Sequence, residues 1–338
     1  MLQPKQKSLQ EHLFQRIKEV LPPGMTLADV VSETLHLGQD SAYRRIRGET
    51  LLVLDEAEEL CRQFGISLDG LFDLKNNSVI FHRTEVDTKS YDFTAYLNGI
   101  HHSLKHLEEF ARKNILYLTK GIPLFHVFPF RALLAFRYYF WMRTTFEVPE
   151  MLQQKFSLHL LPADTETVGM SILSLYNKIP SVEIWSAESI NSTLLQIDYC
   201  RDAGLMTAGQ AYDVTDSLRQ MLEHLQAQAE WGRKFLPAEN PLSRKDNFQL
   251  FYNGLGLGND IILTTHDSNK TVYVNNDVLD YLTCTDEMYC NKVYQKLQTI
   301  QHRSTLISSV GEKQRTLFFN SLYTKLHRRG LNDEKLDL

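Results

Sequence analysis

Between residues 9 and 20, Leu13, Phe14, Ile17 and Val20 recur at three- and four-residue spacing, the period of a helix with one buried stripe. Leu27, Val30, Val31, Thr34 and Leu35 repeat the pattern, leaving Asp29 and Glu33 to solvent and Thr26 as an N-cap. Gly38 is expected to end this helix by taking the positive φ of a tight turn. The next helix, starting at Gln39 or Asp40, pairs Tyr43 with Ile46 as its buried residues. Asp40, Ser41, Arg44, Arg45 and Arg47 then fall on its other faces, and Gly48 stops it. Asp55-Glu-Ala-Glu58 reads as a capping-box start, followed by Ala57, Leu60, Cys61 and Phe64 on one face and Gly65 as the stop. A fifth short helix fits residues 67–72.

Beyond the polar stretch at 73–78 the pattern stays mainly helical, with long segments at 91–118, 130–146, 165–177, 187–203 and 207–236. A short strand is expected at 124–128. After a boundary near Pro237 and Pro241 the period switches. Residues 248–252, 260–265 and 271–274 read as strands, the last two joined by a turn at 267–270, with helices at 286–300 and 312–329 to follow. The expected fold class is mainly α. It comprises a five-helix domain over 1–75, a helical regulatory or dimerisation domain over 76–240, and a small α+β module over 241–338 with a short antiparallel sheet.

The helical order of the first 75 residues resembles the phage-repressor-like (XRE-type) helix-turn-helix regulators. The likeness rests on the stripe Leu27, Val31 and Leu35, the helix Ser41-Ala-Tyr-Arg-Arg-Ile46, the stop Arg47-Gly48, and Ile66-Ser-Leu-Asp-Gly-Leu-Phe72 closing the unit. Aligning Tyr43 and Ile46 with the family's buried pair leaves a turn of about one residue, and Ser32 stands where a small alanine is usual. The resemblance implies that residues 39–47 lie in the major groove of double-stranded DNA. Gln39, Ser41 and Arg44 would then read bases, because arginine and glutamine can each make paired bonds to a purine edge. Arg45 and Arg47 would contact phosphate.

Charge qualifies that picture. Residues 1–75 hold nine basic against twelve acidic side chains, a balance of −3, with three of the nine bases packed into residues 44–47. Strong nonspecific DNA binders are usually basic. Modest, salt-sensitive binding that depends on a homodimer is therefore expected. The competing reading is a protein-interaction module in which the N-terminal unit docks a partner and the arginines are incidental.

Over all 338 residues the formal net charge is −5, with 43% hydrophobic residues, which suits an ordinary globular chain of two or three domains. No signal peptide is read at the N-terminus, and Cys61, Cys200, Cys284 and Cys290 form no CxxC pair, so a cytoplasmic location is expected. The aromatic-rich segment 123–142 is interrupted by Pro123, Pro129, Arg131 and Arg137, which argues for core and against a membrane span. Gly254-Leu-Gly-Leu-Gly258 lacks the spacing of a phosphate loop. His102, His106 and Glu109 share a helix face at metal-like spacing, against the blander reading of a polar surface. No catalytic signature is present, so neither an enzyme nor a cofactor is expected. The regions after residue 75 leave room for a small-molecule or protein effector.

Overall fold

A computed structural model of the protein describes residues 8–21, 25–71, 79–83 and 92–333. They divide into two compact units, Met1–Ile80 and Phe81–Leu338.

In the first unit, α1 (Leu9–Val20) starts at a reciprocal capping box between Ser8 and Glu11. Then come α2 (Leu27–Thr34), capped by Thr26, α3 (Gln39–Ile46), α4 (Leu54–Phe64) and the single turn α5 (Leu68–Leu71). Their buried stripes converge on Leu13, Phe14, Ile17, Val31, Leu35, Ala42, Leu60 and Cys61. Two details differ from expectation. Ala42 is the fully buried residue of α3, whereas Tyr43 is 48% exposed. The turn spans residues 35–38, where His36 takes the positive φ of +51° and Gly38 is an extended N-cap. Ser32 closes this turn, its hydroxyl donating to the Leu37 carbonyl at 2.5 Å.

The second unit begins with β1 (His82–Arg83), α6 (Phe93–Glu109) and β2 (Lys113–Leu118). Helices α7 (Leu124–Val127), α8 (Arg131–Thr144), α9 (Pro149–Leu152) and α10 (Thr165–Lys178) lead to β3 (Ser181–Trp185). Helices α11 (Asn191–Asp202) and α12 (Ala208–Trp231) lead to β4 (Phe248–Tyr252). Next come β5 (Ile261–His266), β6 (Asn269–Asp277), β7 (Asp280–Cys284), α13 (Glu287–His302), β8 (Thr305–Leu306) and α14 (Glu312–Asp333).

Among the described residues, eight strands form one sheet in the order β1-β7-β6-β5-β2-β3-β4-β8. The pairs β2–β3 and β3–β4 are parallel and the others antiparallel. This overturns the mainly α fold with a small antiparallel module at its end. The second unit is an α/β structure whose central strands, β2 and β3, come from the stretch read as helical. Residues 124–128, expected as a strand, instead begin with the helical turn α7. One sheet face carries Leu116, Leu118, Val182, Ile184, Leu263 and Val272 against Cys290, Val293 and Leu297 of α13. The opposite face carries Ile115, Tyr117, Trp185 and Leu250 into the large core built by α8, α10, α12 and α14. Most aromatics of 123–142 are core residues here, among them Phe128, Phe136, Tyr139 and Trp141. No described helix is long and apolar enough to cross a membrane.

Where β3 enters this core it carries a fully buried carboxylate, Glu183. His126 Nε2 lies 2.9 Å from both carboxylate oxygens, Trp185 Nε1 donates at 2.7 Å, and the Tyr176 hydroxyl donates as well. Burial alone would raise the Glu183 pKa, but His126 and these hydrogen bonds outweigh it and hold the group below its usual range. Nearby, the buried Lys234 amine donates to the carbonyls of Tyr176 at 2.6 Å and Ile179 at 2.5 Å, and lies 3.7 Å over the Tyr176 ring. Burial pushes its pKa down to about 7. The network joins α7, α10, β3 and the chain after α12.

Candidate nucleic-acid interface

The outward surface of α3 is set by how its two ends are held. At the N-terminal end, Gln39 Nε2 donates to Asp29 Oδ1 at 2.7 Å, while the Thr26 hydroxyl donates to Asp29 Oδ2 at 2.5 Å. Hydrogen bonds from Thr26 and Gln39 keep the exposed Asp29 carboxyl below its ordinary pKa. At the other end, Gln10 of α1 acts as a clamp. Its amide donates to the carbonyls of Arg45 at 2.7 Å and Thr50 at 2.9 Å, and its Oε1 accepts from the Leu52 backbone at 2.9 Å. The sequence reading gave Gln10 no role, since nothing local marks a polar residue on α1 as the anchor of a loop forty residues on.

Of the three arginines, Arg45 turns inward toward α4. Its Nη2 lies 2.7 Å from Glu56 Oε1 and its Nε 3.0 Å from Glu56 Oε2, a two-point pair with side chains only 16% and 19% exposed. That bond raises the Arg45 pKa and lowers that of Glu56. Arg45, expected to contact phosphate, has its guanidinium engaged within the unit and so lies apart from the outward arginines. Ser41 is half-buried, and its carbonyl accepts from Arg45 at 3.4 Å.

Arg44 and Arg47 remain exposed, with side chains 57% and 59% accessible. Both approach one carboxylate, Glu49, at 3.9 and 3.5 Å. Tyr43 joins them on the outside of the helix. The outer face therefore carries Gln39, Tyr43, Arg44 and Arg47, with acidic Asp29, Asp40 and Glu49 at its margins. Tyr43 was missed because i,i+3 pairing with Ile46 suits a helix as well as the i,i+4 pairing of Ala42 with Ile46. Close contact between α2 and α3 selects the small residue.

The other candidate constellation does not assemble. His106 Nδ1 lies 3.7 Å from Glu109, but His102 does not complete a set, and among the described residues no three His, Cys, Asp or Glu side chains could hold a metal ion. Comparison with protein-family models, curated proteins and solved structures finds no match to this chain.

Proposed function

We propose that the chain is a non-catalytic, cytoplasmic DNA-binding regulator that engages operator DNA as a homodimer through α3, with the second unit as its regulatory part. The observation that carries this reading is the exposed row Gln39, Tyr43, Arg44 and Arg47 on a short helix held by α2, α4 and Gln10. A helix of this size fits the major groove, glutamine and arginine match purine edges, and the second arginine suits a phosphate. A docking role for the first unit draws support from Leu51, Val53 and Leu54, which are 77%, 59% and 70% exposed just after α3.

Selection of bound fragments from a random double-stranded DNA pool, with full-length protein at several salt concentrations, separates the two readings. The DNA reading expects one enriched motif, salt-sensitive binding, and about tenfold loss or more for Arg44→Ala, since a good arginine–guanine pair contributes about 1–3 kcal/mol. Failure of the folded wild type to enrich any motif or to show salt-dependent binding ends the DNA reading and leaves the docking role.

A further inference from the structure

Alongside α6, the second unit contains a cleft of about 780 Å³, within the range of small-molecule sites. One wall is the helix face Ala95, Gly99, Ser103 and His106. The floor is the open face of the sheet, where register aligns Tyr117, Ile262, Tyr273 and Thr283 across four strands, with Ile115, Thr264 and Thr271 in the next row. At one end the hydroxyls of Tyr117 and Tyr281 meet at 3.4 Å. At the other, the Phe110 ring lies between His106 and His266, at centroid distances of 5.1 and 4.7 Å.

The permanent charge of this lining is acidic. The described lining residues include the carboxylates Asp92 and Asp280 and the imidazoles of His102, His106 and His266, but no permanently charged lysine or arginine. Arg83 pairs with Asp280 at 3.2 Å, which leaves Asp92, the N-cap of α6, as the lining carboxylate with no ion pair among the described residues. Burial, and then neighbouring His106, lower the His266 pKa and disfavour its charged form. Arg137 lies close enough to influence Tyr117 and Tyr281, but its guanidinium donates to the Ile122 carbonyl at 2.8 Å and stacks 4.7 Å from the Trp141 ring. The phenol rings of the floor and the Phe110 ring at one end favour a flat apolar body, and aromatic faces tolerate a cation.

We infer that this cleft is a binding site for a planar, predominantly apolar small molecule that carries no anionic group. The geometry that assigns it is the aromatic floor of β2, β6 and β7 facing the small residues of α6, in a described lining without a lysine or arginine.

Three fluorescent probes that share one ring system and differ in charge test this on the full-length protein without DNA: pyrenyl-methanol, pyrenyl-methylammonium and pyrene carboxylate. The neutral and cationic probes are expected to bind with Kd of about 100 μM or tighter, and the carboxylate about tenfold more weakly. Gly99→Phe supplies the second arm. A Cβ at Gly99 meets no atom within 4 Å, so the new ring has room in the cleft, and replacing a mid-helix glycine does not weaken the helix. This variant should keep its Tm and lose at least tenfold in affinity for all three probes. Asp92→Asn retains the N-cap of α6 and should narrow the handicap of the carboxylate about two- to threefold. Equal or tighter binding of the carboxylate, undiminished binding to Gly99→Phe, or no binding of any probe overturns the inference. Because fluorescence is read without DNA, these outcomes are independent of whether α3 binds an operator.

Discussion

Replacing Arg45 tests whether the arginines of α3 divide into one that holds the unit together and two that face outward. Arg45→Ala removes both bonds to Glu56, at 2.7 and 3.0 Å, and a longer one to the Ser41 carbonyl. With side chains only 16% and 19% exposed, the pair is better shielded than a surface ion pair, for which about 0–1 kcal/mol is typical. Two-point geometry and partial burial raise the expected loss to about 1–2 kcal/mol. For a unit of this size, each kcal/mol corresponds to about 4–8 °C in Tm. Arg47→Ala, which removes an exposed pair with Glu49 at 3.5 Å, should move the same transition by less than about 0.5 kcal/mol. The assay is urea unfolding of full-length protein followed through the first unit's transition, for Arg45→Ala, Glu56→Gln, the double variant and Arg47→Ala. A coupling of about 1 kcal/mol between Arg45 and Glu56 is expected from the cycle. If Arg45→Ala leaves that transition in place while abolishing DNA binding, Arg45 belongs to the interface and the division made here is wrong.

Two further outcomes follow from charges described above. Glu49→Gln removes the carboxylate that Arg44 and Arg47 share, so DNA affinity at moderate salt should rise about three- to tenfold and the plot of log K against log salt should steepen by up to about one unit; titration of a labelled selected site checks both. Lys234, with a folded pKa of about 7 against an unfolded value of about 10.4, binds fewer protons folded than unfolded between those limits. Stability of the second unit should therefore increase from pH 7 toward about pH 8.5 with a slope of at most about 1.4 kcal/mol per pH unit. Above that range the buried thiols, whose pKa values burial raises, pull in the opposite direction. Unfolding of Lys234→Met over the same range should lose the rising limb, and an unchanged limb would assign it to another group.

The first unit was largely legible because each helix announces itself locally. Thr26 and Gly65 mark ends, and single apolar stripes define the buried faces. What escaped there was tertiary: the pairing of Arg45 with a glutamate eleven residues on, and the Gln10 clamp. The second unit was misread for a different reason. Ile115 to Leu118 of β2 are buried on both sides of the sheet, so they show no alternation and merge with the apolar stripe of α6. β3 is harder still, since all five of its residues are buried and the middle one is Glu183. A charged residue inside a short apolar run argues against a core strand unless its partners are known, and those partners, His126 and Tyr176, sit on α7 and α10.

The charge pattern of α3 bears on why the proposed regulator should act as a pair. One copy offers Arg44 and Arg47 as outward cations, set among Asp29, Asp40 and Glu49. With Arg47 as the phosphate contact and Arg44 at a base edge, one copy would contribute a salt slope of only about −1, too little to hold DNA firmly at physiological ionic strength. Two copies double the slope and combine their base contacts, which makes specificity depend on half-sites spaced about one helical turn apart. The acidic margin then has a consequence of its own. In the proposed regulator it would suppress binding by a single unit anywhere on DNA, so that an operator would be distinguished by engaging both copies at once.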